Sequence, residues 1–127
     1  MIHEEICTYE VAKLAKEKGF NVQTFDWYDY TGNYNQGFIP HKLHECPRYK
    51  EYYAPSQSLL QRWLREKKGI IVEVFVDDDS NMPLTYNIHQ YKDWNWECVC
   101  HHHGNYYAVN SWELCLEDAL KYALENL

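Results

Sequence analysis

The feature that most constrains the fold is a block of strand-like segments between two amphipathic helices. Residues 70–76 form a β-branched run, whereas residues 84–89 and 94–100 alternate in side-chain character. These patterns predict three strands, and the short connections between them favour an antiparallel meander. One face of such a sheet must be covered, so we expect the neighbouring helices to pack on it.

Two of the helices have clear ends in the sequence. The first is predicted over residues 9–18, with Thr8 as its N-cap and Gly19 as its stop. The last is predicted over residues 112–126, with Ser111 as its N-cap. Its apolar side chains recur at spacings of three and four, which predicts one buried face: Leu116, Ala119, Leu120, Ala123, Leu124 and Leu127.

A middle helix is predicted through Leu59, Leu60, Trp63 and Leu64, and it should stop at Gly69. Its start allows two readings. Ser58 with Gln61 fits a capping box, and Ser56 is the alternative cap.

The segment of residues 21–53 is less regular. It predicts irregular structure with one short strand near residues 22–27, and residues 31–37 have the composition of a loop. The whole pattern predicts a single two-layer α+β domain over residues 1–127. An antiparallel meander of three or four strands would carry two or three helices on one face.

Charge and cysteine content exclude several classes of function. The chain has 19 acidic and 12 basic residues, a net charge of -7, and one small basic cluster around Arg62 and Lys68 that Glu66 dilutes. We therefore expect no direct nucleic-acid binding, which needs a clustered basic surface. No segment has the length of a membrane span, and the first ten residues do not form a signal peptide. Five cysteines without a disulfide-type spacing predict a cytoplasmic protein.

A metal site is one hypothesis for the residues around the third strand. On a regular strand Cys98, Cys100 and His102 would point to one face, where they could bind zinc, with His41, His44 or Cys46 as a fourth ligand. The Cys-x-Cys spacing is not the usual one for zinc. The alternative is two buried thiols followed by a solvated histidine turn, so no cofactor is the main expectation.

Motifs for catalysis are incomplete. Asp77, Asp79 and Asn81 match the start of a calcium loop, but the later ligand positions fail. Cys46 lies near His41 in sequence, although nothing in the sequence brings the two together as a nucleophile and base. These observations favour a protein that is not an enzyme.

Aromatic side chains give the main candidate binding surface. Tyrosine and tryptophan dominate the energetics of protein interfaces. Five aromatic residues cluster with acids in one segment: Phe25, Trp27, Tyr28, Tyr30 and Tyr34. They either contact a protein partner or a planar ligand, or they pin a long segment onto the domain, whose small size makes that burial useful.

Three segments together resemble small uncharacterised proteins of gut Bacteroides-type bacteria and their phages. The segments are residues 8–20 (TYEVAKLAKEKGF), residues 54–66 (APSQSLLQRWLRE) and residues 112–124 (WELCLEDALKYAL). The resemblance implies a bacterial or phage context, but it implies no activity and no catalytic residues.

The leading functional hypothesis is a non-enzymatic module that binds an unidentified protein partner through residues 21–53. One alternative is an acidic decoy that antagonises a nucleic-acid-binding protein, because acids dominate the charge. A zinc-binding domain or zinc enzyme is the other alternative.

Overall fold

The computed structural model describes residues 4–37, 51–76, 84–106 and 111–127, with only the backbone described for residues 102–106. The elements in chain order are α1 Tyr9–Glu17, β1 Asp26–Tyr28, β2 Tyr34–Gln36, β3 Tyr52–Tyr53, α2 Gln57–Trp63, a π-helical turn Leu64–Lys68, β4 Ile70–Val76, β5 Leu84–Lys92, β6 Asn95–Tyr106 and α3 Ser111–Asn126. These helices and two antiparallel three-stranded sheets confirm the α+β class.

The chain divides into two compact units, Met1–Leu59 and Leu60–Leu127, and the division falls inside α2. The first unit contains α1 and the sheet β2-β1-β3, and the second contains the sheet β4-β5-β6 and α3. A single domain over residues 1–127 stays a prediction.

The first sheet occupies a segment for which irregular structure was predicted. β1 pairs with β2 on one side and with β3 on the other, both antiparallel. Asp29 organises the β1–β2 turn, because its carboxylate accepts hydrogen bonds from the N–H groups of Thr31 and Asn33 at 2.9 and 3.0 Å. The Thr31 hydroxyl also donates to this carboxylate and is the main cause of the lowered pKa of Asp29. The composition of residues 31–37 indicated only a loop, so it missed β2.

Both predicted ends of α1 are confirmed. The Thr8 hydroxyl accepts a hydrogen bond from the N–H of Val11 at 3.3 Å, which caps the first turn. At the other end Gly19 has a φ of 99°, and the N–H of Phe20 donates to the carbonyl of Ala15 at 2.9 Å. The Phe20 ring is buried, as the hydrophobic contact after a helix stop requires.

Ser56, and not Ser58, caps α2. The N–H of Leu59 donates to the Ser56 hydroxyl at 3.1 Å, whereas the Ser58 hydroxyl donates to the carboxylate of Glu4 at 2.6 Å. The capping-box interpretation is therefore wrong, because the helix begins one residue before Ser58. The middle helix continues into the π-helical turn, and it stops at Gly69 as predicted. The φ of Gly69, 65°, lies in the left-handed region.

The second sheet is the predicted antiparallel meander, in the order β4-β5-β6. β4 pairs with β5 without interruption, and β5 extends to Lys92, three residues beyond its predicted end. β6 continues through the histidine stretch to Tyr106, beyond its predicted end at residue 100. Two register shifts accommodate this length, because β6 has extra residues between Cys98 and Cys100 and again between His102 and Tyr106.

Helix α3 packs against the second sheet. Ala119 and Ala123 are fully buried, and their small side chains let the helix approach the strands closely. Beneath the helix, Ile88 is inaccessible to solvent, and burial raises the pKa of Tyr86 to about 12. Leu127 follows the last helical residue and is 37% exposed, so its predicted place in the core is wrong.

Candidate binding surface

The β5–β6 connection is a two-residue turn with an unusual backbone. Lys92 and Asn95 are the closing pair, and the two residues between them have positive φ angles, 52° at Asp93 and 68° at Trp94. This pattern is typical of a type I′ turn, which usually carries Asn-Gly or Asp-Gly. A bulky side chain in this region costs about 1 kcal/mol or more relative to glycine.

Three aromatic side chains are exposed at this end of the sheet. Trp94 is 89% exposed, and the cross-strand neighbours Tyr91 and Trp96 are 43% and 47% exposed. The rings of Tyr91 and Trp96 lie 5.2 Å apart at an angle of 56°. We call these three residues the aromatic hairpin. Aromatic rings that remain this accessible provide contact area at low entropic cost.

The base of the aromatic hairpin is held by the residue that ends the π-helical turn. The N–H of Tyr91 donates to the carbonyl of Gly69 at 2.8 Å. A Cβ atom at Gly69 would lie 3.4 Å from the Cβ of Tyr91, so the two backbones run close together there. The hairpin therefore projects from a fixed strand rather than from a loose loop.

The aromatic residues predicted to bind a partner lie in the first unit, where some of them are packed. The Tyr28 hydroxyl donates to the carbonyl of Cys7 at 2.6 Å, and its ring packs edge-on against Tyr9 and Tyr34. The Tyr34 hydroxyl donates to the Asp26 carboxylate at 2.6 Å, which raises the pKa of Tyr34. These contacts favour a packing role for Tyr28, whereas the Tyr34 side chain remains 46% exposed despite its hydrogen bond.

Other members of the predicted set differ from one another in exposure. Phe25 is 69% exposed and Tyr30 is 71% exposed, so both rings are available to a partner. Trp27 on β1 is half-buried, and its indole N–H is buried without a hydrogen-bond partner in the described part of the chain. Phe25 and Tyr30 are thus the most accessible of the five predicted residues, and Tyr34 comes next.

The predicted zinc ligands do not share one face of β6. The register places Cys98 opposite His89 and Cys100 opposite Ile88, with Val99 as the extra residue between them. His89 and Ile88 are neighbours on a strand, so their side chains point to opposite faces of the sheet. The Cys98 thiol therefore lies on the face of His89, and the Cys100 thiol lies on the face of Ile88. The prediction of a shared face assumed a regular strand, which the bulge at Val99 interrupts.

No group of three or more His, Cys, Asp or Glu side chains is arranged for metal binding among the described residues, which do not include the His102 side chain. His41, His44 and Cys46 lie outside the described residues, as do Asp77, Asp79 and Asn81. The zinc site therefore stays a prediction. Burial raises the pKa of the Cys115 thiol to about 11, which makes that thiol a poor nucleophile.

The sheet face opposite α3 carries polar contacts between neighbouring strands. Nε2 of His89 lies 3.2 Å from the Glu73 carboxylate, and the His101 ring stacks on Phe75 with ring centres 6.1 Å apart. Nδ1 of His101 also forms a hydrogen bond with the side-chain oxygen of Asn87. These cross-strand pairs stabilise the sheet and leave both imidazoles near the surface.

Sequence reasoning missed the aromatic hairpin. Trp94 and Trp96 fall in the predicted third strand, which rests on their alternation alone, and Tyr91 lies outside the predicted strands. The available signal was an Asp-Trp pair between two strand-like runs that both carry aromatic residues. A two-residue connection predicts a hairpin turn, and tryptophan at such a turn is unusual.

No family model, no curated protein and no solved structure matches this chain. None of the helices in the described part of the chain combines the length and the apolar character that a membrane span requires.

Proposed function

We propose that this chain is a non-enzymatic protein-binding module whose main contact surface is the aromatic hairpin. The single observation that carries the proposal is Trp94, which is 89% exposed at a position that disfavours any side chain. The two-residue turn uses this backbone but does not require a bulky side chain on it, and strained residues of this kind are typical of functional sites. Tryptophan is also the residue type most enriched among the energetic centres of interfaces.

A second candidate surface lies in the first unit at Phe25 and Tyr30. Both rings are more exposed than those of Tyr91 and Trp96, and acidic residues lie close to them in the sequence, Asp26 and Asp29. This surface is the remaining part of the aromatic segment on which the sequence hypothesis rested. Backbone strain favours the aromatic hairpin over it, because neither Phe25 nor Tyr30 has a positive φ.

The proposal includes a cytoplasmic location in a gut Bacteroides-type bacterium or one of its phages. The resemblance of three segments supports the host. The described cysteines, Cys7, Cys98, Cys100 and Cys115, form no disulfide with one another, which supports a reducing compartment.

The test is capture of partners from a lysate of such a bacterium by wild-type protein and by Trp94→Ala. We expect Trp94→Ala to weaken capture of the main partner by roughly thirtyfold, the loss of about 2 kcal/mol typical of an interface centre. Trp112→Ala is the matched control, because Trp112 is a tryptophan at 44% exposure on α3. Equal capture by all three proteins would contradict the proposal.

The same experiment separates the two candidate surfaces. If Phe25→Ala and Tyr30→Ala lose the partner while Trp94→Ala retains it, the contact surface is in the first unit. Competition by double-stranded DNA for the captured partner would favour the acidic decoy instead. Elemental analysis of tag-free protein tests the zinc-binding alternative, for which one equivalent of zinc is expected.

A further inference from the structure

We infer that the outer edge of β6 binds an extended, basic peptide segment of a partner protein as an added β-strand. The inference rests on the proposed function, because it names the mode by which the aromatic hairpin holds its partner. Strand addition supplies affinity through backbone hydrogen bonds, and alternate side chains supply specificity.

The first argument comes from the direction of the backbone groups. The N–H of Tyr91 points toward β4, where it donates to Gly69 at 2.8 Å, so it points away from β6. In an antiparallel pair of strands, when one residue directs its N–H and C=O away from the other strand, the residue opposite it does the same. Trp96 is that residue, and Cys98 follows it two positions on, opposite His89. Both therefore direct a donor and an acceptor toward the outer edge.

The second argument is that this edge is exposed and lies at the end of the described sheet. All five residues from 95 to 99 are exposed, and β6 is the last strand in the order of the described sheet. Natural sheets usually guard such edges with lysine, proline or a bulge. Residues 95–106 contain no lysine, arginine or proline, and the first bulge comes only at Val99. The regular part of the edge is thus residues 95–98, which suits a short added strand.

The third argument is charge and side-chain chemistry, which define the partner segment. Trp96 and Cys98 present apolar surface on one face of the edge, and Glu97 presents a carboxylate on the other. The whole chain carries a net charge of -7, and β6 contains no lysine or arginine. A segment that alternates apolar and basic residues complements both faces, with Trp94 positioned at the end of the added strand.

The probe is a capped synthetic peptide of about six residues in which valine and lysine alternate, a typical strand length. We expect residue-resolved amide exchange of the wild-type protein to slow by roughly tenfold at Trp96 and Cys98 when the peptide is present at about 1 mM. The amide of Glu97 already faces β5, so its exchange should change less. A peptide with glutamate in place of lysine should produce no protection.

A variant removes the outward donor without disturbing the internal ladder. Cys98→Pro deletes an N–H that points to solvent, a position at which a strand tolerates proline. Cys98→Ser is the matched control because it keeps the N–H. We expect Cys98→Pro to lose peptide binding by about tenfold or more and Cys98→Ser to retain it. A peptide N-methylated on the amides that face β6 gives the same test without altering the protein.

The results that overturn the inference are specific to it. Unchanged exchange at Trp96 and Cys98, equal protection by the glutamate peptide, or full binding by the N-methylated peptide would each do so. Protection that grows with protein concentration alone would show a second copy at the edge instead. Lysate capture that depends on Trp94 but not on the N–H of Cys98 would leave the proposed function standing and remove only strand addition.

Discussion

Trp94 combines two properties that a turn residue rarely has together, a left-handed backbone and a large exposed ring. The ring contributes little to the folded state because few of its atoms are buried, whereas the backbone conformation has a cost. The side chain therefore acts against stability, and this is why the proposed binding function rests on it.

Replacing Trp94 by glycine should raise the free energy of unfolding by about 1 kcal/mol relative to Trp94→Ala. Both substitutions remove the ring, but only glycine relieves the strain at a φ of 68°. Chemical denaturation of the two variants measures the difference. Equal stability of the two would show that the turn is not strained, and the argument for function from strain would fail.

Tyr86 gives a prediction about alkaline pH. Its pKa is raised from the ordinary value of 10.0 to about 12, first by burial and then by nearby groups that include Cys100 and Asp118. Between these pH values the unfolded chain loses the phenolic proton while the folded chain keeps it. The stability that the neutral phenol contributes is thus present below pH 10 and lost as the pH rises toward 12.

Tyr86→Phe should therefore show a shallower loss of stability over this alkaline range than the wild type, as thermal denaturation at a series of pH values would measure. Tyr30→Phe is the matched control, because the Tyr30 ring is exposed. An identical pH profile for wild type and Tyr86→Phe would contradict the assignment.

Among the elements, the helices followed from sequence more closely than the strands. Thr8, Gly19 and Gly69 act locally, so their chemistry can be read from neighbouring residues. The bulge at Val99 could not be read in this way. It depends on how β6 pairs with β5, and a shift of one residue sends the following side chains to the opposite face.

The first sheet was not predicted from the sequence, for a related reason. Its strands are two or three residues long, too short for an alternating pattern to be visible. Of the candidate binding residues, sequence alone identified the exposed pair Phe25 and Tyr30 together with the packed Tyr28. It could not separate the two groups, because exposure depends on contacts such as the one between Tyr28 and Cys7.

The bulge at Val99 leads to a prediction about self-association of the protein. Deleting Val99 makes the pairing of β6 with His89 and Ile88 continuous and lengthens the regular outer edge. We expect stronger self-association of the deletion variant, because bulges protect exposed edges from pairing with other chains. Light scattering over a concentration series measures this, with Val99→Ala as the control that keeps the residue count. A deletion variant as monodisperse as the control would show that the bulge does not guard the edge.

At the scale of the whole molecule, the chain has two compact units, and each presents an accessible aromatic pair or cluster. The net charge of -7 keeps like chains apart and favours partners of opposite charge. These two features are the ones on which the proposed binding module depends.

The most direct measurement is site-specific photocrosslinking in a gut Bacteroides-type bacterium, the host that we propose. A photoreactive phenylalanine analogue would replace Trp94 in one variant and Tyr30 in another, two positions of comparable exposure in different units. The account predicts a discrete covalent adduct with one partner protein from position 94 and none from position 30. An adduct from position 30 alone, or the same background at both positions, would contradict it.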